Sequence, residues 1–542
     1  MKSGVERTQS AWMATTSVPK RSPLEQDISV DVCIVGAGIA GLTTAYFLSR
    51  EGLRVAVLES RQIGSGQTQR TTAHLASALD DFYSEYENIQ GEEKTRLLAD
   101  SHHTAISQIG KIVQELEIEC QFRRLPGYLF LAPEHEKELL EKEYGAASRA
   151  GLEGLTLLKS PPVNGFDIGP SLYYPDQGQF NPLPYLQGLA EEIERLGGVI
   201  YEQTHAKEFH GGEPNEVETA AGPVVKASHL LVATNTPVND RFAMHTKMAP
   251  YLTYAVALKI PRNSVTTALY WDTMENYHYV RTHPVDAQHD LLIVGGEDHK
   301  SGQVSDQAQR FGRLEQWTRE RFKMAGEVVH QWSGMVMETP DGAAYIGRNP
   351  NDESNVYIAT GDSGMGMTHG TIAGLLLTDL IQDRENPWAE CYDPARTPLA
   401  GSAWQDLASE TANVISKYAE DWLSPGDAIA VDQLENDQGT IERSGLSKVA
   451  YYRDENGETH RNSAVCPHLG CVVHWNDAEK VWDCPCHGSR FDACGEVING
   501  PAISGLKSLD QECDEEEVEC DIPAEDSGDP ATVHDNDGRS IG

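Results

Sequence analysis

The chain has 542 residues, 39% of them hydrophobic, and a formal net charge of −40, which predicts more than one domain with ordinary apolar cores. So acidic a surface repels phosphate and excludes nucleic acid as a partner, and no stretch approaches the roughly 20 apolar residues of a membrane span. The stretch 510–542 carries 13 acidic residues against one arginine and reads as an acidic tail; the charge elsewhere fits either simple solubility or a salt-rich cytoplasm.

Residues 1–29 mix charges with Thr, Ser and Pro and carry no apolar secretory core, so an N-terminal extension on a cytoplasmic protein is expected. Residues 30–36, Val-Asp-Val-Cys-Ile-Val-Gly, are a short β-branched run that predicts a buried parallel strand. Gly36-Ala-Gly38-Ile-Ala-Gly41 follows, then a helical stretch to Arg50 and a second strand, Arg54–Leu58, ending at Glu59. This is a complete βαβ dinucleotide fingerprint. Gly36 permits the tight turn, Gly38 lets backbone approach a pyrophosphate, and Gly41 lets the helix pack on the strand. The helix start favours the phosphates, and Glu59 is placed for the ribose hydroxyls.

A Gly/Thr-rich loop, 61–75, comes next. Residues 85–118 and 133–150 carry Glu, Lys and Leu at helical spacing, and 250–300 carries strand signals. Within the latter, Tyr277, Tyr279 and Arg281 alternate with His278 and Val280 and would share one strand face. That face is either a wall for an amine or carboxylate or an ordinary half-exposed strand. Arg348 is a second carboxylate-binding candidate. Val356–Gly361 predicts another strand, running through Asp362-Ser-Gly364-Met365-Gly366-Met367-Thr368 into a small-residue helix. Two glycine-rich strand-to-helix segments about 300 residues apart suit a long flavin nucleotide.

With Asp341–Gly347, His229–Thr234 and Tyr174–Pro182 added, residues 30–396 resemble the FAD-dependent oxidoreductases of the D-amino-acid oxidase and glycine oxidase type. The resemblance implies an α/β FAD-binding Rossmann-type domain interleaved with an α+β substrate domain. It places Gln67, Thr68, Ala73, His74 and Leu75 along the phosphates and flavin, and Gly361 with residues 363–368 on the other side of the ring. His74 is read two ways: as a covalent FAD attachment point, as in relatives that oxidise N-methylated amino acids, or as a non-covalent flavin contact.

After a helical linker, 397–424, residues 425–509 hold Cys466-Pro-His468 and Cys484-Pro-Cys486-His487, with Cys471 between them. Two cysteines and two histidines suit a Rieske 2Fe-2S centre, in which thiolates hold one iron and imidazoles the other; a structural zinc site also takes four such ligands. The stretch resembles the Rieske proteins of cytochrome bc complexes, and so a small all-β Rieske domain. By that resemblance the ligands are Cys466, His468, Cys484 and His487, and Cys471 and Cys486 form a disulfide, an uncommon bond in the cytosol. Ser489 would donate to a bridging sulfide. Phe491 stands where high-potential members carry a tyrosine, which predicts a potential below the top of the Rieske range. Cys33, Cys120 and Cys391 read as buried small residues; Cys494, Cys513 and Cys520 have no assigned role. Glu275, His278 and His283 echo the iron-ligand spacing of Rieske oxygenases, but a chain with 19 histidines produces such spacings by chance.

The expected function is an FAD-dependent dehydrogenase that oxidises an amine or amino acid, a small-molecule substrate, and passes electrons singly through the cluster to an external acceptor. The alternatives are an electron-transfer protein reduced by a partner and an oxidase using oxygen. No catalytic base is identified.

Overall fold

The computed structural model describes residues 7–510 apart from 134, 240–243, 275–276, 351, 397–401, 425 and 428. Residues 511–542 of the acidic tail, with Cys513 and Cys520, the first residues of the predicted linker, and Glu275 lie outside the described residues.

An eight-stranded sheet forms the nucleotide-binding body. The strand Ile28–Val35 lies at its middle, parallel to Val55–Leu58 on one side and Val224–Asn235 on the other, with Val356–Thr360 parallel beyond. The β-branched run ends in four fully buried residues, as a strand covered on both faces requires. The helices Ile39–Arg50 and Gly366–Ile381 pack on one another. A Cβ on Gly374 would overlap Thr43, so the small residues of the second helix allow the two backbones to approach.

A nine-stranded sheet forms the substrate side, built mainly from Ala249–Pro261, His289–Lys300, Val328–Glu338 and Ser171–Gln179. The predicted outer helices appear as Tyr83–Gln90, Glu92–Glu115 and Lys137–Arg149. The linker holds the helix Ser402–Leu423. The carboxy-terminal domain is all-β, with a three-stranded and a four-stranded antiparallel sheet around Tyr452, Trp482 and Phe491. Among the described residues no helix is long and apolar enough to cross a membrane.

A buried carboxylate is one of the contacts that join the two domains. Glu479, from the carboxy-terminal domain, accepts from the Thr8 N–H (3.1 Å), the Thr8 hydroxyl (2.6 Å) and the Ser333 N–H (3.1 Å), and faces Arg70 Nη1 at 3.3 Å. Both side chains of this ion pair are almost fully buried. Arg70 also donates to the Ser333 and Thr8 carbonyls. The residues expected to be a plain extension are therefore structural: Thr8 serves this node, and Trp12 is fully buried with its indole N–H on the Thr71 carbonyl at 2.7 Å.

Removing one partner of a buried pair strands the other charge, at a cost of roughly 3–5 kcal/mol. Glu479→Ala is expected to destabilise the folded protein by about that amount and to increase protease cleavage between the domains, read by thermal melting and limited proteolysis.

Candidate active site

Gly36 has φ +109°, and a Cβ there would overlap the Ala233 carbonyl, so only glycine suits this turn. Gly38 caps the helix Ile39–Arg50 without a side-chain hydrogen bond; it and Ala40 line a long cavity, where helix-start N–H groups favour an anion. Gly41 does not line it but lies against the Gly36 carbonyl, where a side chain has no room. Glu59 closes this end, its carboxylate accepting from the N–H groups of Ala37 (3.0 Å) and Arg61 (2.9 Å).

Gln67 and Thr68 line the same cavity from a short 3-10 helix. Thr68 Oγ1 accepts from the Ile39 N–H at 3.1 Å, and Gln67 Oε1 accepts from the Met335 N–H at 2.7 Å. His74 lines it too, while its neighbours Ala73 and Leu75 are fully buried outside the lining. Burial, then the nearby Arg281 charge, pushes the His74 pKa down to about 3, so the imidazole is neutral. Gly361, Gly364, Met365, Gly366, Met367 and Thr368 complete the wall. The two glycine-rich segments thus meet in one cavity.

Tyr277 and Tyr279 line it; Arg281 does not. Its guanidinium is fully buried, donates to the carbonyls of Thr72 (2.9 Å), Ala73 (2.7 Å) and Phe180 (3.2 Å), and sits over the Trp12 ring. Arg281 supports the loop that carries His74 rather than presenting a cation to a substrate. Arg348 is exposed and faces Asp383 at 3.6 Å, away from the cavity. His278 pairs with Asp272 and His283 packs on Trp12, so these histidines are structural.

Sequence reading missed four carboxylates in the lining: Asp80, Asp298, Glu338 and Asp362. Burial dominates their titration, raising Asp80 to about 7 and Asp298 and Asp362 to about 6, with Glu338 raised well above its usual range. The visible signal is a lone acid closing an apolar strand, Met335-Val-Met-Glu338.

In the carboxy-terminal domain the Cys466 and Cys484 thiols lie within hydrogen-bonding contact, and the His468 and His487 rings have centroids 5.1 Å apart. His487 Nδ1 is buried without a hydrogen-bond partner, as fits a lone pair kept for a metal. Cys471 and Cys486 form a disulfide, with Cα atoms 6.5 Å apart. The Ala502 N–H donates to Ser489 Oγ at 3.0 Å, leaving the Ser489 proton for another acceptor. Phe491 is fully buried.

The family model for FAD dependent oxidoreductases matches residues 31–380, and the Rieske 2Fe-2S domain model matches residues 424–510. The chain belongs to the FAD dependent oxidoreductases. It carries a Rieske domain at its carboxyl end. Over 507 residues it is 32% identical to YhfW of Bacillus subtilis (strain 168), whose name describes a Rieske 2Fe-2S iron-sulfur protein; the match covers 93% of this chain and 98% of that one. It is 25% identical over 392 residues to gamma-glutamylputrescine oxidoreductase of Escherichia coli (strain K12), covering 70% of this chain and 89% of that one. Its fold matches glycine oxidase from Geobacillus kaustophilus with a TM-score of 0.57 at 19% identity, covering 68% of this chain and 99% of that one. The oxidoreductase domain binds FAD and the Rieske domain binds a 2Fe-2S cluster. The glycine cradle and the paired cysteines and histidines fit both groups.

Two predictions follow from these surroundings. Ser489→Ala removes a donor worth about 1.5 kcal/mol to the reduced cluster, so the midpoint potential is expected to fall by on the order of 60 mV in a redox titration followed by EPR. Asp80 keeps its proton to about pH 7 when folded, against an ordinary value of 3.8, so the stability tied to it is complete below about pH 4 and lost as pH rises through about 7. Asp80→Asn is expected to match the parent near pH 4 and to exceed it at pH 8 by on the order of a few kcal/mol, read from melting curves across that range.

Proposed function

We propose that this protein is a dehydrogenase of amines or amino acids with a built-in one-electron relay. Bound FAD supplies a two-electron acceptor for a C–H bond beside nitrogen, and the Rieske cluster supplies a one-electron outlet to an external acceptor. The chain's own residues bind the substrate, keep water from the reacting end of the cavity, and hold the two domains in register. The gamma-glutamylputrescine oxidoreductase relative supports a nitrogen-bearing donor.

The observation that carries the reading is a wall shared between the two sites. Val497–Asn499, Gly500, Ala502 and Ile503 of the Rieske domain line the FAD cavity. Met335 lines it as well, and its sulfur lies against Gly488, between the ligand His487 and Ser489. The Asn499 amide donates to the same sulfur at 3.5 Å. One side chain thus touches both the cavity and a cluster-binding loop.

Anaerobic mixing of the cluster-loaded protein with a panel of amines and amino acids tests this. One compound is expected to bleach the flavin and raise the EPR signal of the reduced cluster together. If flavin bleaches but the cluster stays oxidised and peroxide accumulates in air, the protein is an oxidase. If only a protein reductant raises the signal, it is an electron carrier.

A further inference from the structure

The cavity has a recess whose walls are acidic and aromatic. Asp80 comes from the segment after the His74 strand, Asp298 and Glu338 from two strands of the large sheet, and Asp362 from the loop after Gly361. Tyr277 donates to Asp80 Oδ2 at 2.8 Å, and Gly364 has no room for a side chain because Asp80 occupies it. Asp362 accepts from the Met337 N–H at 3.4 Å. Among the described residues none of the four makes a salt bridge.

Two of these acids are short of partners. Thr253 donates to the Asp298 carboxylate, but its Oδ1 is buried with no hydrogen-bond partner. Glu338 is half-buried and lines the cavity; among the described residues no hydrogen bond reaches its carboxylate. Buried carboxylates without partners are costly, and these lie close enough together to raise one another's pKa after burial has done so. A cation delivered into the recess relieves all of them. Trp271, Tyr277 and Tyr279 line the same space, with the tyrosine rings 5.4 Å apart, and aromatic faces attract ammonium groups.

The chemistry also excludes a ligand group. A substrate carboxylate needs an available cation, and the recess offers none. Arg281 lies outside the lining: its Nη1 donates to three carbonyls, and its Nε and Nη2 are buried behind the wall. Arg61 and Arg70, which line the cavity, are held by the Ser65 carbonyl and by Glu479. His74 is neutral. An amino acid would bring its carboxylate against four acids that already raise one another's pKa, whereas an ammonium group favours their charged forms.

We propose that the recess is a binding site for an aliphatic diamine or polyamine, a substrate with at least two ammonium groups and no carboxylate. The inference rests on the amine-oxidising reading and narrows it: one nitrogen lies at the reacting end, and a second is held by Glu338 and Asp298.

The test uses the full-length protein loaded with FAD and cluster, first reduced with dithionite so that binding is read without turnover. Calorimetry compares 1,4-diaminobutane, butylamine and glycine. The diamine is expected to bind at least about ten-fold more tightly than the monoamine, as a second charge-assisted contact implies, and to weaken more steeply with added salt. Glu338→Gln and Asp298→Asn are each expected to weaken diamine binding by about ten-fold while leaving butylamine little changed. FAD content and melting temperature confirm that the variants fold, and the salt dependence needs no variant. Equal affinity for diamine and monoamine, absence of diamine binding, or indifference to both substitutions overturns the proposal. Flavin bleaching in the oxidised protein is recorded separately. Glycine that bleaches flavin without diamine binding removes this site and leaves the dehydrogenase standing; a diamine that binds through Glu338 without bleaching does the reverse.

Discussion

The buried pair between Arg70 and Glu479 is the constraint on which the two-site arrangement depends. An ion pair taken out of water holds only if its geometry is good and its remaining hydrogen-bonding capacity is met. Here Thr8, Ser333 and two backbone carbonyls meet it. Each partner belongs to a different part of the molecule: the amino-terminal segment, the loop that carries Gln67 and Thr68, the strand Val328–Glu338, and the Rieske domain. Neither Arg70 nor Glu479 can move alone without stranding the other's charge. The loop that carries Gln67 and Thr68 and the Rieske domain are therefore tied at this node, and the contact between Met335 and Gly488 lies beside it on the same strand.

Charge is sorted along the cavity. At the glycine turn, helix-start N–H groups await phosphate. In the middle, burial strips the charge from His74, and Arg281 is turned into the wall behind it. At the far end four carboxylates collect. Desolvation is the largest contribution to every shift in this series, so the cavity stores unfavourable electrostatics that a bound dinucleotide at one end and a cation at the other would discharge. The strand acid Glu338, placed in an otherwise apolar run, follows the same logic under the proposed cation site.

What could be read from the sequence was what chemistry compresses into short segments. Gly36, Gly38 and Gly41 follow a strand and open a helix, and Cys466, His468, Cys484 and His487 fall in two short segments, as a Rieske centre requires. Spacing brings out such sets, and the family resemblance assigned the second to a cluster rather than to zinc. The substrate end was not legible because its acids come from residues 80, 298, 338 and 362, which only the folded sheets bring together. Arg281 misled for a related reason. Its alternation with Tyr279 holds on the strand Tyr279–Pro284, which Tyr277 precedes, but the guanidinium is buried behind the cavity wall with its Nη1 on three carbonyls from elsewhere. Thr8 and Trp12 carried no local signal, since Glu479 and Thr71 define their roles.

The placement of His245 extends the argument about domain register. This residue belongs to the oxidoreductase domain and is buried, and its ring lies 4.7 Å from that of His468 and 5.7 Å from that of His487. Both predicted imidazole ligands thus face the oxidoreductase domain, with Met335 and Pro250 of that domain against the adjoining Gly488. The proposed transfer of electrons within one chain asks for such an orientation, since the predicted cluster-binding loops then lie against the domain that holds the cavity, with Met335 lining the cavity and touching Gly488.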